Sequence, residues 1–256
     1  MDPSSNLNSL GQAFLAGVGT VVVNAALHPL CTIKNRLMAN ESAFPRTTGT
    51  LKTLKALYRG YTEICLTDSA AFAVAYVSNG WMKKNEIHPL VSAILAGVIC
   101  TPVVTIGEAL MISSQVHGKA INTKLLRSSL KSSGLIATLL REIPISVSIF
   151  ALPPVIENRM PFSHELTNHA FSGLISGALC GVITTPADKI KTLVQAKDLP
   201  FRTATTAVFQ EWTTAYGRRR LMNDASLRAI YIGLAVAILN VINNQLPQFL
   251  PKSMKG

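Results

Sequence analysis

Apolar residues fall in six long runs with short polar stretches between them, at roughly residues 9 to 38, 62 to 83, 89 to 116, 136 to 158, 165 to 196 and 223 to 247. Crossing a bilayer core takes about 20 residues of helix. Each run reaches that length, so the pattern predicts an all-α membrane protein with six transmembrane helices. Charges interrupt several runs: Glu63 and Asp68 in the second, Glu108 in the third, Arg141 and Glu142 in the fourth, Arg228 in the sixth. Ionisable groups within spans face a bundle interior or a watery cavity, so the helices are expected to surround a polar centre.

Composition agrees. The 256 residues are 48% hydrophobic and only 14% charged, with a mean hydropathy of +0.33, too apolar for an ordinary soluble domain. The formal net charge is +11, yet no aromatic-basic stripe, zinc-ligand spacing or helix-turn-helix pattern points to nucleic acid. Most of the 24 Lys and Arg cluster in three places: around Lys34 to Arg59, from Lys119 to Lys131, and from Lys189 to Arg220. All three lie on one side of a six-span layout. By the positive-inside rule that side faces the compartment of negative potential, and both termini lie opposite. Cys31, Cys65, Cys100 and Cys180 form no CxxC pair and read as buried thiols. His28, His88, His117, His164 and His169 have no metal spacing and are expected to be interfacial or capping. The opening "MDPSSNLNSL" has no basic or Arg-rich amphipathic stretch, which argues against a removable targeting peptide. No nucleophile set, cofactor motif or phosphate-cradling loop suggests an enzyme.

The first, third and fifth runs each carry small residues followed by a proline: "LAGVGTVVVNAALHPLCTIKNRL", "LAGVICTPVVTIGEAL" and "ISGALCGVITTPADKIKTLVQ". Each leads into a basic amphipathic connector and a second span, so the chain divides into three helix pairs: 9–83, 88–160 and 165–248. These features resemble the mitochondrial carrier family, whose odd helices carry Pro, any residue, Asp or Glu, two further residues, then Lys or Arg. "PADKIK" at 186–191 matches in full. "PLCTIK" at 29–34 lacks only the acid, and "PVVTIG" at 102–107 keeps only the proline. "LYRG" at 57–60 and "GLIATLLREIP" at 134–144 strengthen a resemblance that covers essentially the whole chain.

The resemblance implies a single carrier domain with a central cavity closed at its matrix end by Pro29, Lys34, Pro102, Pro186, Asp188, Lys191 and Gln195. The prolines bend the odd helices, and acids of one repeat pair with bases of the next. By that order Asp188 meets Lys34. Cys31 and Gly107 have lost their pair together, and Lys191, facing Val104, has no expected mate; Lys189 is expected to point outward. At the opposite end Val77 and Gly80, Pro154 and Glu157, and Asn240 and Asn243 offer no acid-base pair. This imbalance favours the matrix-closed state and loosens strict exchange.

Contact sites carried over from the family are Thr67 and Asp68, Arg141 and Glu142, and a third at Arg228, with Asp224 as the competing register; Asn24 is a further cavity candidate. An Arg-Glu pair at the second contact resembles carriers of amino acids and of S-adenosylmethionine. Arg141 offers a fork for a carboxylate, and Glu142 or Asp68 suits an ammonium or sulfonium. Adenine nucleotide is the rival substrate, because Arg141, Arg228 and Lys191 would give three cations to phosphates. The other alternative is a carrier-derived receptor or scaffold that no longer transports. Tyr58, Arg59 and Gly60 are candidates for binding a membrane lipid such as cardiolipin. The expected setting is the mitochondrial inner membrane, possibly a host's, with the termini toward the intermembrane space and the protein a monomer with no cofactor.

Overall fold

Each apolar run becomes helix in the computed structural model, which describes residues 7–45, 49–117, 132–160, 162, 164–197 and 199–254. In order they are α1 (Ser9–Met38), α2 (Thr50–Leu57), α3 (Tyr61–Lys84), α4 (Pro89–His117), α5 (Ser132–Phe150), α6 (Leu152–Glu157), α7 (Glu165–Lys197), α8 (Phe201–Thr213) and α9 (Ala215–Phe249), followed by a 3-10 turn at Lys252–Met254. The expected basic stretch Lys119 to Lys131, and Arg46, lie outside the described residues.

Local chemistry sets the boundaries. The Asn8 side chain accepts from Gly11 N at 2.9 Å to start α1, and Thr214 does the same for α9, accepting from Gly217 N at 3.0 Å. Such caps satisfy backbone donors that the helix itself leaves open. Gly60, at φ +79°, makes the turn from α2 into α3. The fourth run is not one helix as expected: it breaks at Ala151, just before Pro153 and Pro154, whose missing N–H groups cannot continue the ladder. The sixth helix starts at Ala215, ahead of the apolar run expected from hydropathy, because Thr214 caps it there.

Among the described residues four helices are long and apolar enough to cross a membrane: Ser9–Met38, Pro89–Val116, Glu165–Lys197 and Ala215–Phe249. The long helices close a ring. α1 packs on α3, α3 on α4, α4 on α5, α5 on α7, α7 on α9, and α9 returns to α1. Their inner faces share an apolar cluster that includes Leu15, Val23, Ala71, Val104, Ile145 and Leu239. Val22, Ile99, Leu179, Ile183 and Ile230 are exposed on the outside, as an apolar surrounding would require. Near the ends of the described chain, Asn8 N donates to Met254 O at 3.1 Å and Asn8 Nδ2 to Ser253 O at 2.7 Å.

The tightest seam joins α7 to α9. A Cβ on Gly173, Gly177 or Gly181 would lie 2.8, 2.9 and 2.8 Å from the Cα of Ala237, Gly233 and Ala229. Backbones approach this closely only where side chains are absent. Gly177→Val is therefore expected to destabilise the protein by about 1–3 kcal/mol through overpacking, read as a lower thermal unfolding midpoint in detergent. An unchanged midpoint would show that the seam can yield.

Candidate functional site

The C-terminal halves of α1, α4 and α7 converge, and there the chain buries its charges. Asp188 has no exposed surface and sits among four cations: Lys34 Nζ at 2.7 Å, Lys191 Nζ at 3.1 Å, Arg141 Nη1 at 3.4 Å, and Arg228. Leaving a carboxylate unpaired in such a place would cost several kcal/mol. Lys34 also lies 5.5 Å from the centroid of the Tyr231 ring. The expected Asp188–Lys34 pair is thus present.

Lys191 corrects the sequence reading. Rather than lacking a mate, it pairs with Glu108 Oε2 at 2.8 Å as well as with Asp188. Glu108 lies four residues after Val104, the position where the family's acid was sought. One helical turn returns to the same face, so an acid displaced by a turn reaches the same lysine. Glu108 was visible as a charge inside an apolar run, and the i+4 rule would have found its role. Its other oxygen takes Arg141, whose second terminal nitrogen takes Glu142. Between α1 and α4, where Cys31 and Gly107 leave no ion pair, Asn35 Nδ2 donates to Gln115 Oε1 at 2.8 Å and Arg36 Nη1 to Gln115 O at 3.0 Å. Gln195 is fully buried, and its side-chain amide has no hydrogen-bond partner among the described residues.

Above this cluster is a cavity of about 90 Å³ lined by Asn24, Asp68, Arg141, Glu142 and Arg228, with Cys31, Lys34, Glu108 and Tyr231 toward its charged end. Asn24 Nδ2 donates to Asp68 at 3.3 Å. Arg228 is held by Thr184 Oγ1, which accepts from Nε at 3.1 Å and Nη2 at 3.0 Å. Thr67 is not brought in: its hydroxyl donates to Glu63 O at 2.8 Å and its side chain faces Gly107. Between the two registers for the third contact, Arg228 faces the cavity. Asp224 pairs instead with Lys189 at 2.7 Å.

Lys189 does not point to the surface as expected. It is fully buried in a second cluster outside the cavity, between Asp224 and Glu211, the latter on α8 at 2.5 Å. This triad fastens the connector helix to α7 and α9. Tyr58 OH donates to Ala25 O at 3.0 Å, and His28 Nε2 lies 2.9 Å from Arg59 O; the Arg59 side chain is exposed. A Cβ on Gly60 would sit 3.1 Å from Met111 Cα, so packing against α4 already accounts for that glycine.

The opposite end of the cavity is closed by hydrogen bonds rather than by Lys or Arg ion pairs. Tyr76 OH and the Asn243 amide exchange hydrogen bonds at 2.7 and 3.0 Å, joining α3 to α9. Asn240 Nδ2 and Ser172 Oγ each donate to Glu157 Oε1 at 2.8 Å. Among the described residues no Lys or Arg pairs with a carboxylate here, but His169 Nδ1 lies 3.0 Å from Glu157 Oε1. With both ends drawn in, the cavity has room for only a few ordered waters.

Residues 162–253 match the family model described as mitochondrial carrier protein. The chain is 26% identical to S-adenosylmethionine carrier 1, chloroplastic/mitochondrial, of Arabidopsis thaliana, over 99% of this chain and 84% of the relative. It is 25% identical to an uncharacterized mitochondrial carrier of Schizosaccharomyces pombe, over 74% of this chain, and 30% identical to the mitochondrial RNA-splicing protein MRS3 of Saccharomyces cerevisiae, over 56%. The matches span 60% of the fission-yeast relative and 52% of MRS3.

The Lys189 triad gives a direct test of how the connector is held. Lys189→Met leaves Glu211 and Asp224 without the ammonium that joins them and is expected to cost about 3 kcal/mol, measured by thermal unfolding in detergent. A loss no larger than that of an exposed-lysine substitution would mean the triad contributes little.

Proposed function

We propose that this member of the mitochondrial carrier family moves a small zwitterionic metabolite, amino-acid-like or S-adenosylmethionine-like, by alternating access. The observation that carries the reading is charge balance. Four bases, Lys34, Arg141, Lys191 and Arg228, share the cavity and its charged end with four acids, Asp68, Glu108, Glu142 and Asp188. Adenine nucleotide needs surplus positive charge, and here Arg141, Arg228 and Lys191 all have carboxylate partners already. A zwitterion brings one charge of each sign: its carboxylate suits the Arg141 fork and its cation suits Glu142 or Asp68. The likeness to the Arabidopsis S-adenosylmethionine carrier supports the same class.

Within this reading, α1, α3, α4, α5, α7 and α9 are the six transmembrane helices, and 9–83, 88–160 and 165–248 are three repeats of one carrier domain. Thr67 serves by holding α3 against α4. Pro29, Pro102, Pro186, Lys34, Asp188, Lys191 and Gln195 form the matrix gate, and Tyr58, Arg59 and Gly60 meet membrane lipid. The membrane is the mitochondrial inner membrane, with the termini on its outer side and the protein acting as a monomer. Ion pairs at the gate end against hydrogen bonds without Lys or Arg at the other favour opening toward the intermembrane space, since about 1.4 kcal/mol shifts a two-state population tenfold. A metabolite of this class needs a pocket of roughly 300 Å³ or more, so the cavity must widen to admit it.

Reconstitution in liposomes tests the assignment. Labelled S-adenosylmethionine, or a basic or neutral amino acid, is expected to show saturable uptake that falls at least about tenfold in Arg141→Ala and Arg141→Lys, since neither keeps the two-nitrogen fork. ATP is expected to give no saturable uptake. Preferential ATP uptake, or no uptake of any compound by folded protein, would overturn the proposal.

A further inference from the structure

We propose that His169 is a proton-operated clamp on the outer end of the cavity: a second proton on its ring fastens α6 to α7 and α9, so that acid on that side holds the end shut. The inference rests on the alternating-access reading for what this end does, and not on which substrate is carried.

The ring lies between two carboxylates. Nδ1 is 3.0 Å from Glu157 Oε1 on α6, and Nε2 is 3.6 Å from Glu165 Oε1, one turn back along α7. A neutral imidazole carries a single N–H. Placed on Nδ1, that hydrogen serves Glu157 and leaves the Nε2 lone pair turned toward a second acceptor. Nε2 is buried and has no hydrogen-bond partner among the described residues. Only the imidazolium offers a donor to each side. Glu165 is also the acid in the first turn of α7, where it offsets the positive end of the helix dipole that would oppose a charge on the ring. From α9 the facing group is Asn240, a neutral amide that donates to His169 O at 2.8 Å. Among the described residues neither glutamate has a Lys or Arg partner, so the ring is the cation this pair can acquire. The Glu165 side chain is 78% exposed, which gives protons a path from the outer solution.

Where the pair sits makes it a clamp. Glu157 ends α6, and its Oε1 already accepts from Ser172 on α7 and from Asn240 on α9, each at 2.8 Å. Opening this end must part α6 from those two helices. With a neutral ring, the bonds that break are replaced by bonds to water. With the ring charged, His169 and Glu157 must separate as opposite ions, which hold each other more strongly than a neutral donor holds a carboxylate. The other end of the cavity is held by buried ion pairs. A proton therefore supplies the charge that the outer end lacks, and the balance between the two ends follows the pH of the outer side.

Spin labels on Val155→Cys of α6 and Phe249→Cys of α9, both exposed positions, measure the width of the outer end in the empty, lipid-embedded protein. The background carries Cys31→Ala, Cys65→Ala, Cys100→Ala and Cys180→Ala. Lowering the pH from about 8 to about 5.5, the range in which histidine titrates, is expected to raise the ratio of short to long distances at least about fivefold, the low end of coupling between sites. His169→Gln keeps one donor for Glu157 without a charge and is expected to hold the ratio constant over the same range. Glu165→Gln removes one of the two carboxylates and is expected to weaken the response. A ratio that ignores pH in the background protein, or a response that survives in His169→Gln, as titration of His88 or His164 would produce, overturns the inference. Should His169→Gln fail to fold, the exposed Glu165→Gln decides it: a response equal to the background protein's overturns the clamp. Since the labels report on the empty protein, failure of every compound in the uptake assay strikes the transport reading and leaves this measurement standing.

Discussion

One carboxylate with no access to solvent, that of Asp188, organises the charged half of this protein. Its partners come from four helices: Lys34 on α1, Arg141 on α5, Lys191 on its own α7, and Arg228 on α9. A buried acid of this kind is tolerable only with its counter-charges in place, so the helices that supply them are drawn to one point. Where they meet, the ring is closed. Where they part, the cavity begins.

The two ends of that cavity are held by different physics. At one end buried ions meet in a network that includes Glu108, an acid shifted by one turn from the place the family pattern assigns it. At the other, tyrosine, asparagine, serine and a single glutamate share hydrogen bonds. Hydrogen bonds of this kind exchange readily for bonds to water, whereas separated buried charges do not, so the ends differ in how easily they open. An alternating-access mechanism needs such a difference to be small and adjustable.

Outside the cavity, packing and charge fasten α7, α8 and α9 to one another. Glycines on α7 let α9 approach to backbone contact, and the buried Lys189 ties both helices to the α8 connector through Asp224 and Glu211. The arrangement gives α7 two charged faces: Asp188 and Lys191 turn inward to the cavity, while Lys189 turns to the neighbouring helices.

The apolar runs, the three prolines and the charges stranded among hydrophobic residues were enough to determine a helical, membrane-type chain with a polar centre, because those features depend on local sequence and on what lipid tolerates. The "PADKIK" motif likewise made the Lys34–Asp188 pair legible across 154 positions, since the motif carries the pairing rule with it. Spacing alone did not reveal that Lys191 reaches Glu108, that Lys189 is buried, that Thr67 turns away from the cavity, or that Arg228 rather than Asp224 faces it. Each of these turns on which side of a helix meets which neighbour. A 100° step per residue and a one-turn shift of an acid leave composition and hydropathy unchanged, and only the packed helices decide which charges come within reach.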